Sequence, residues 1–126
     1  MPTKYDEDAA PIIQFDARLE ISPFLVFRRL REGKPVTLVD VRKEPKGHTL
    51  EGSEILSADF EPPADATTVL FDDDGTLAID IAEAFQERGH AQVKALFGGL
   101  ELWKFSLDPN VVGEHTYLIA LPETAE

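Results

Sequence analysis

Two rhythms of apolar and polar positions alternate along the chain. Pro35-Val36-Thr37-Leu38-Val39-Asp40-Val41, Thr67-Thr68-Val69-Leu70-Phe71 and Gln92-Val93-Lys94-Ala95-Leu96 are short runs, rich in β-branched residues and apolar at successive positions. Runs of this kind predict strands buried on both faces. Between them the period lengthens. Ser22-Pro23 begins a helix, with Ser as N-cap and Pro at the first helical position, and Val26, Phe27 and Leu30 share one face. Arg28, Arg29 and Arg31 then precede Gly33, as expected of a helix end. From Thr76 a second helix is predicted, with Leu77, Ile81, Ala84 and Phe85 as its apolar stripe and Gly89 as its stop. A short helix is expected around residues 100–105, after Gly98-Gly99. Residues 53–56 and 115–121 read as further strands, Pro62-Pro63 as a break, and the charged, glycine-containing segment 42–52 as a loop. Strands alternating with helices imply an α/β fold, a parallel sheet covered by helices on both faces.

Composition narrows the setting. The 126 residues suffice for one compact domain, expected over residues 13–126, with residues 1–12 as a loose acidic arm. Apolar residues make up 43% of the chain, yet none of the runs reaches the ~18 residues of a membrane span. The first residues lack the apolar centre of a secretory signal, so a cytoplasmic location is expected. The net charge of −12 would repel nucleic acid and anionic membranes, while a basic protein partner would be attracted. There is no cysteine, which excludes a disulfide, a thiolate nucleophile or a persulfide on this chain. His48, His90 and His115 form no recognisable ligand set, and neither a metal nor a cofactor is expected.

The stretch Leu70-Phe71-Asp72-Asp73-Asp74-Gly75-Thr76-Leu77 admits two chemistries. An apolar strand entering Asp-x-Asp-Gly-Thr resembles the first motif of the haloacid dehalogenase-like hydrolases. That resemblance implies Asp72 as nucleophile, Asp74 as general acid/base and Mg²⁺ between them. The later elements of such a site are missing, since no adjacent pair of acids follows and Gly98-Gly99 supplies no ligand.

Several fragments, in order, resemble a different family. They are Ile21-Ser22-Pro23, Leu38-Val39-Asp40-Val41-Arg42, Gly47-His48-Thr49-Leu50-Glu51-Gly52-Ser53 and Phe97-Gly98-Gly99-Leu100-Glu101-Leu102-Trp103. Their sequence and spacing resemble the rhodanese homology domain over residues 18–106. The resemblance implies a small, mainly parallel sheet flanked by helices, with Asp72 on the position of the family's catalytic cysteine and Asp73, Asp74, Gly75, Thr76 and Leu77 completing the loop. In active members that cysteine becomes a persulfide, steadied by the N–H groups of the loop and the following helix. A carboxylate cannot take that role, so a domain without sulfurtransferase activity is expected. The alternative remains a Mg²⁺-dependent phosphohydrolase.

The resemblance also implies structural roles for Asp40, Arg42, Gly47, His48, Gly98, Gly99 and Trp103, with Asp40 and Arg42 bracing the loop and Trp103 packed in the core. Asp72 is expected to turn into the loop and accept its amides. Phe24 and Leu25 stand on first-turn positions that need not face the core, and offer a protein contact if exposed. The strand over 115–121, beyond the family pattern, would either cover the domain's own flank or pair with a second copy as a homodimer.

Overall fold

The computed structural model describes residues 15–122, so the arm expected over residues 1–12 lies outside the described residues. The elements in chain order are β1 (Glu20–Ile21), α1 (Pro23–Arg31), β2 (Val36–Asp40), β3 (His48–Leu50), β4 (Glu54–Ile55), β5 (Thr67–Phe71), α2 (Thr76–Glu87), β6 (Val93–Leu96), α3 (Gly99–Ser106), α4 (Pro109–Val112) and β7 (Leu118–Ala120). Five strands form one sheet in the order β1-β6-β5-β2-β4, and every pairing in it is parallel.

The three solid apolar runs become β2, β5 and β6, the middle of that sheet. Their side chains alternate between two cores. Leu38, Val69, Phe71 and Leu96 face one side, where Val26 and Phe27 of α1 and Leu100 and Trp103 of α3 cover them. Val39, Leu70, Val93 and Ala95 face the other, under Ala78, Ala82 and Phe85 of α2. Covering both faces explains why these strands read as continuous apolar runs, each full burial of a Val or Leu contributing about 1.5–3 kcal/mol. The α/β layering expected from the pattern is the one observed.

Helix α1 starts as its sequence dictates: Ser22 Oγ accepts the N–H of Leu25 at 3.3 Å, Pro23 follows, and Arg28, Arg29 and Arg31 occupy the last turn. Four details differ from expectation. The buried stripe of α2 is Ala78, Ala82 and Phe85, whereas Leu77 is 44% exposed and Ala84 lies in solvent. The small alanines let α2 approach the sheet closely, which a stripe chosen for bulk misses. Residues His48–Leu50, inside the segment expected to be loop, form β3. It pairs antiparallel with β7 in a separate two-stranded sheet. The strand expected over 115–121 narrows to Leu118–Ala120 and lies on the domain's own flank. Finally, β1 and α4 carry too short a pattern to be anticipated.

Tyr117 enters β7 with a positive φ of 70°, held by Phe27, whose ring lies 5.9 Å away, and by the N–H of Glu51 on its carbonyl. No helix among the described residues is long and apolar enough to cross a membrane.

Candidate functional site

In a parallel sheet every strand delivers its loop to the same end, and here three such loops converge. β5 is central, with β2 and β6 on either side, so Asp72–Leu77 emerges between the segment after Asp40 and the Gly98-Gly99 turn. The carboxyl end of a parallel sheet is the usual place for a ligand crevice in open α/β folds.

The centre of this end is Asp72. Its side chain is buried and turned into its own loop, where Oδ1 accepts the N–H of Gly75 at 2.7 Å and Oδ2 that of Leu77 at 2.9 Å. The start of α2, with its free N–H groups and positive dipole end, is therefore occupied by a carboxylate of the chain itself. Asp74 caps the same turn from outside. Its Oδ1 accepts the N–H of Thr76 at 3.1 Å and the Thr76 hydroxyl at 2.8 Å. The N–H bond first, and the hydroxyl bond second, hold the Asp74 carboxyl below the ordinary aspartate range.

Asp73 points the other way, to Arg42. The Arg42 guanidinium lies on Asp40, Nε to Oδ1 at 3.0 Å and Nη2 to Oδ2 at 2.8 Å, both side chains being buried. Nη1 donates to Asp73 Oδ1 at 3.0 Å and to the Lys46 carbonyl at 3.1 Å, and Nη2 to the His48 carbonyl at 2.7 Å. Hydrogen bonding to Asp40 raises the Arg42 pKa above the ordinary arginine value. Burial opposes this, and the charges of Asp40 and Asp73 add to it. Asp40 also accepts the Arg42 N–H and the Thr49 hydroxyl, so both of its oxygens carry two donors. One arginine thus ties together the end of β2, the approach to β3 and the Asp72–Leu77 loop.

The third wall is the Gly98-Gly99 turn. The N–H groups of Leu100 and Glu101 donate at 2.9 Å to the carbonyls of Asp72 and Asp73. Gly99 sits so close that a Cβ there would stand 2.6 Å from the Asp72 carbonyl oxygen, with φ at +64°. The first turn of α3 is thereby used on loop carbonyls.

The remaining expected residues serve the frame. Trp103 is fully buried and donates Nε1–H to the Thr116 carbonyl at 2.9 Å, so the core indole fixes the approach to β7. The Gly47 carbonyl accepts the Leu121 N–H at 2.8 Å, and the His48 N–H donates to the Lys46 carbonyl. His90 lies edge-on to Phe85, and His115 Nε2 is 2.6 Å from Glu51 Oε1. Phe24 and Leu25 are 56% and 37% exposed on α1 and take no part in the crevice. Asp40 and Arg42 were expected to brace the loop; sequence reasoning did not name Asp73 as the partner there, nor Thr49. No local spacing pairs Arg42 with Asp73, which lies 31 residues further along the chain. Nothing in the sequence brings Thr49 under Asp40.

Among the described residues there is no group of three or more His, Asp or Glu arranged to hold a metal ion. Asp72 and Asp74 make local caps within one loop, and the elements of a phosphohydrolase expected from later strands do not gather around them.

No family model matches the chain, and no curated protein matches it. Solved structures share its fold. A protein from Bacillus halodurans is 17% identical, covering 72% of this chain and 74% of that one, with a TM-score of 0.59. A protein of unknown function from Rhodopseudomonas palustris, described as a possible tyrosine phosphatase, is 19% identical over 71% of this chain and 82% of its own, again at 0.59. A protein from Lactobacillus plantarum is 22% identical over 71% and 84%, also at 0.59. These likenesses are of fold, and with the strand order above they support a rhodanese-like α/β arrangement.

Proposed function

We propose that the chain is a rhodanese-like domain that carries out no sulfur transfer and acts in the cytoplasm as a protein-binding or regulatory module. The observation that carries this reading is the Asp72 carboxylate, buried at the head of α2 and taking the N–H groups of Gly75 and Leu77. A persulfide or an anionic sulfur donor would need those same donors. With no cysteine in the chain there is also no atom to receive the sulfur.

What remains is a rigid α/β frame with an acidic surface and exposed apolar side chains. Binding is the use such a surface supports, and a basic partner is the kind it attracts. The experiment is a thiosulfate and cyanide assay on the purified chain. Thiocyanate at the level of the blank is expected, and turnover well above it would overturn the proposal. A parallel arm with Mg²⁺ and an aryl phosphate should also stay at the blank, and phosphatase turnover lost in Asp72→Asn would establish the rival chemistry instead.

A further inference from the structure

Helix α3 places Phe105 two residues beyond Trp103, and the two side chains meet opposite fates: Trp103 is fully buried and Phe105 is 84% exposed. An aromatic ring so exposed has no role in this core, and its place on the surface is informative. It forms the lip of an open groove of about 720 Å³ beside the Asp72–Leu77 loop. The apolar part of the groove comes from Ile79, Phe97, Leu102 and Phe105, so α2, the β6 exit and α3 all contribute. Its polar side chains are Glu20, Asp74, Glu101 and Thr76, and none of the lining residues is a lysine or arginine.

The other large grooves differ. The one across α3 holds His48 and Lys104 as well as Glu101 and Asp108, and the one at the opposite end of the sheet holds Arg29 and Lys34. Among these grooves of the described residues, this one alone joins an apolar floor to a rim whose charged side chains are all acidic. Asp74, like any exposed aspartate, is ionised at neutral pH, and its bonds from the Thr76 N–H and hydroxyl favour the charged form further.

We propose that this groove docks a cationic, apolar-anchored segment of a partner protein: a leucine- or aromatic-sized side chain seated between Phe105 and Ile79, bracketed by Lys or Arg facing Glu101, Asp74 and Glu20. Charge complementarity selects this occupant, because a second copy of a chain with net charge −12 would bring acids to acids. The inference rests on the reading of the domain as a binding module and gives it a location and a partner chemistry. It also explains why the loop is acidic, since Asp74 has a task on each side, capping α2 and facing the groove.

The test is a nuclear magnetic resonance titration of the isotope-labelled intact chain with three synthetic peptides. One is an amphipathic lysine-leucine peptide, the second has serine in place of leucine, and the third has glutamate in place of lysine. The lysine-leucine peptide should shift the backbone signals of Thr76, Ile79, Gly98 and Leu102 most. It should bind at least tenfold more tightly than either control, and weaken about tenfold with Phe105→Ser and severalfold with Glu101→Lys. Both positions are exposed, and an unchanged spread of the remaining signals verifies that the variants fold. Shifts scattered over the acidic surface, or affinity indifferent to Phe105→Ser, would overturn the groove. So would shifts centred on Phe24 and Leu25 and lost in Phe24→Ser, although the binding-module reading would then stand. Thiocyanate turnover tests that broader reading separately.

Discussion

Arg42 and Asp74 show how much a single side chain decides at this end of the sheet. Arg42 is shared among Asp40, Asp73 and two carbonyls, and its partner Asp40 is almost without solvent. Replacing Arg42 with Met keeps the apolar stem but leaves a buried carboxyl group without its cation. A loss of about 3–5 kcal/mol in urea unfolding is expected, of which Asp40→Asn in the same chain should restore a substantial part. Equal additive losses would mean that the two groups do not act as a pair. Asp74 is exposed and its effect is smaller. Its folded pKa lies below its unfolded one, so the stability it contributes is present above about pH 4 and is lost as pH falls through the folded value. The wild type should exceed Asp74→Ala by about 0.5 kcal/mol at pH 6, and that gap should close towards pH 2. A gap independent of pH would show that the carboxylate charge is immaterial to the cap.

At the scale of elements, the contact between the α3 start and the loop after β5 rests on a missing side chain. Gly99 has φ at +64° and would press a Cβ against the Asp72 and Asp73 backbone, whereas Gly33, with φ at +73°, faces open space. Ala at position 33 should cost about 1–2 kcal/mol for the left-handed backbone alone. Ala at position 99 should cost clearly more, because backbone rather than a flexible side chain must move, and thermal unfolding of the two variants measures the difference. Elements built from local pattern were legible in the same way. β2, β5 and β6 announced themselves as solid apolar runs, and Ser22-Pro23 fixed the start of α1. The buried face of α2 was legible only in part: Phe85 is buried and Ile81 half-buried as the stripe implies, but Ala78 and Ala82, which carry less apolar weight than Leu77, take the most buried positions. β3 was hidden because a three-residue strand has its stability in a partner, β7, that lies about seventy residues away along the chain. Of the site, the position of Asp72 could be read from the order of motifs. A bracing role for Arg42 was expected from the same motifs, but its partner Asp73 could not be read, because that bond depends on strands far apart in the chain ending together.

Seen as one molecule, the chain combines a loop whose N–H groups hold the carboxylate of Asp72 with a net charge of −12 that opposes free anions. The two can be separated by restoring a thiol. Asp72→Cys alone should react slowly with thiosulfate, because a dianion must approach Asp73 and Asp74 at close range. The two neighbouring acids are not equivalent. Asp74 is bonded only to Thr76, so Asp74→Asn in the cysteine variant removes one repulsive charge. Asp73 is paired with Arg42, so Asp73→Asn keeps an acceptor for Nη1 but removes a charge, leaving the Arg42 guanidinium with Asp40 as its anionic partner and part of its positive charge free to act on the crevice. Persulfide formation, followed by cyanolysis in single turnovers, should therefore rise more with Asp73→Asn than with Asp74→Asn. About tenfold for the first and a few-fold for the second are expected at low salt, from a screened interaction near 1 kcal/mol per charge. Both gains should shrink at high ionic strength. Equal gains from the two substitutions would show that Arg42 is held by Asp40 too firmly to serve an anion, and that the crevice differs from a sulfur-transfer site in its cation as well as in its nucleophile.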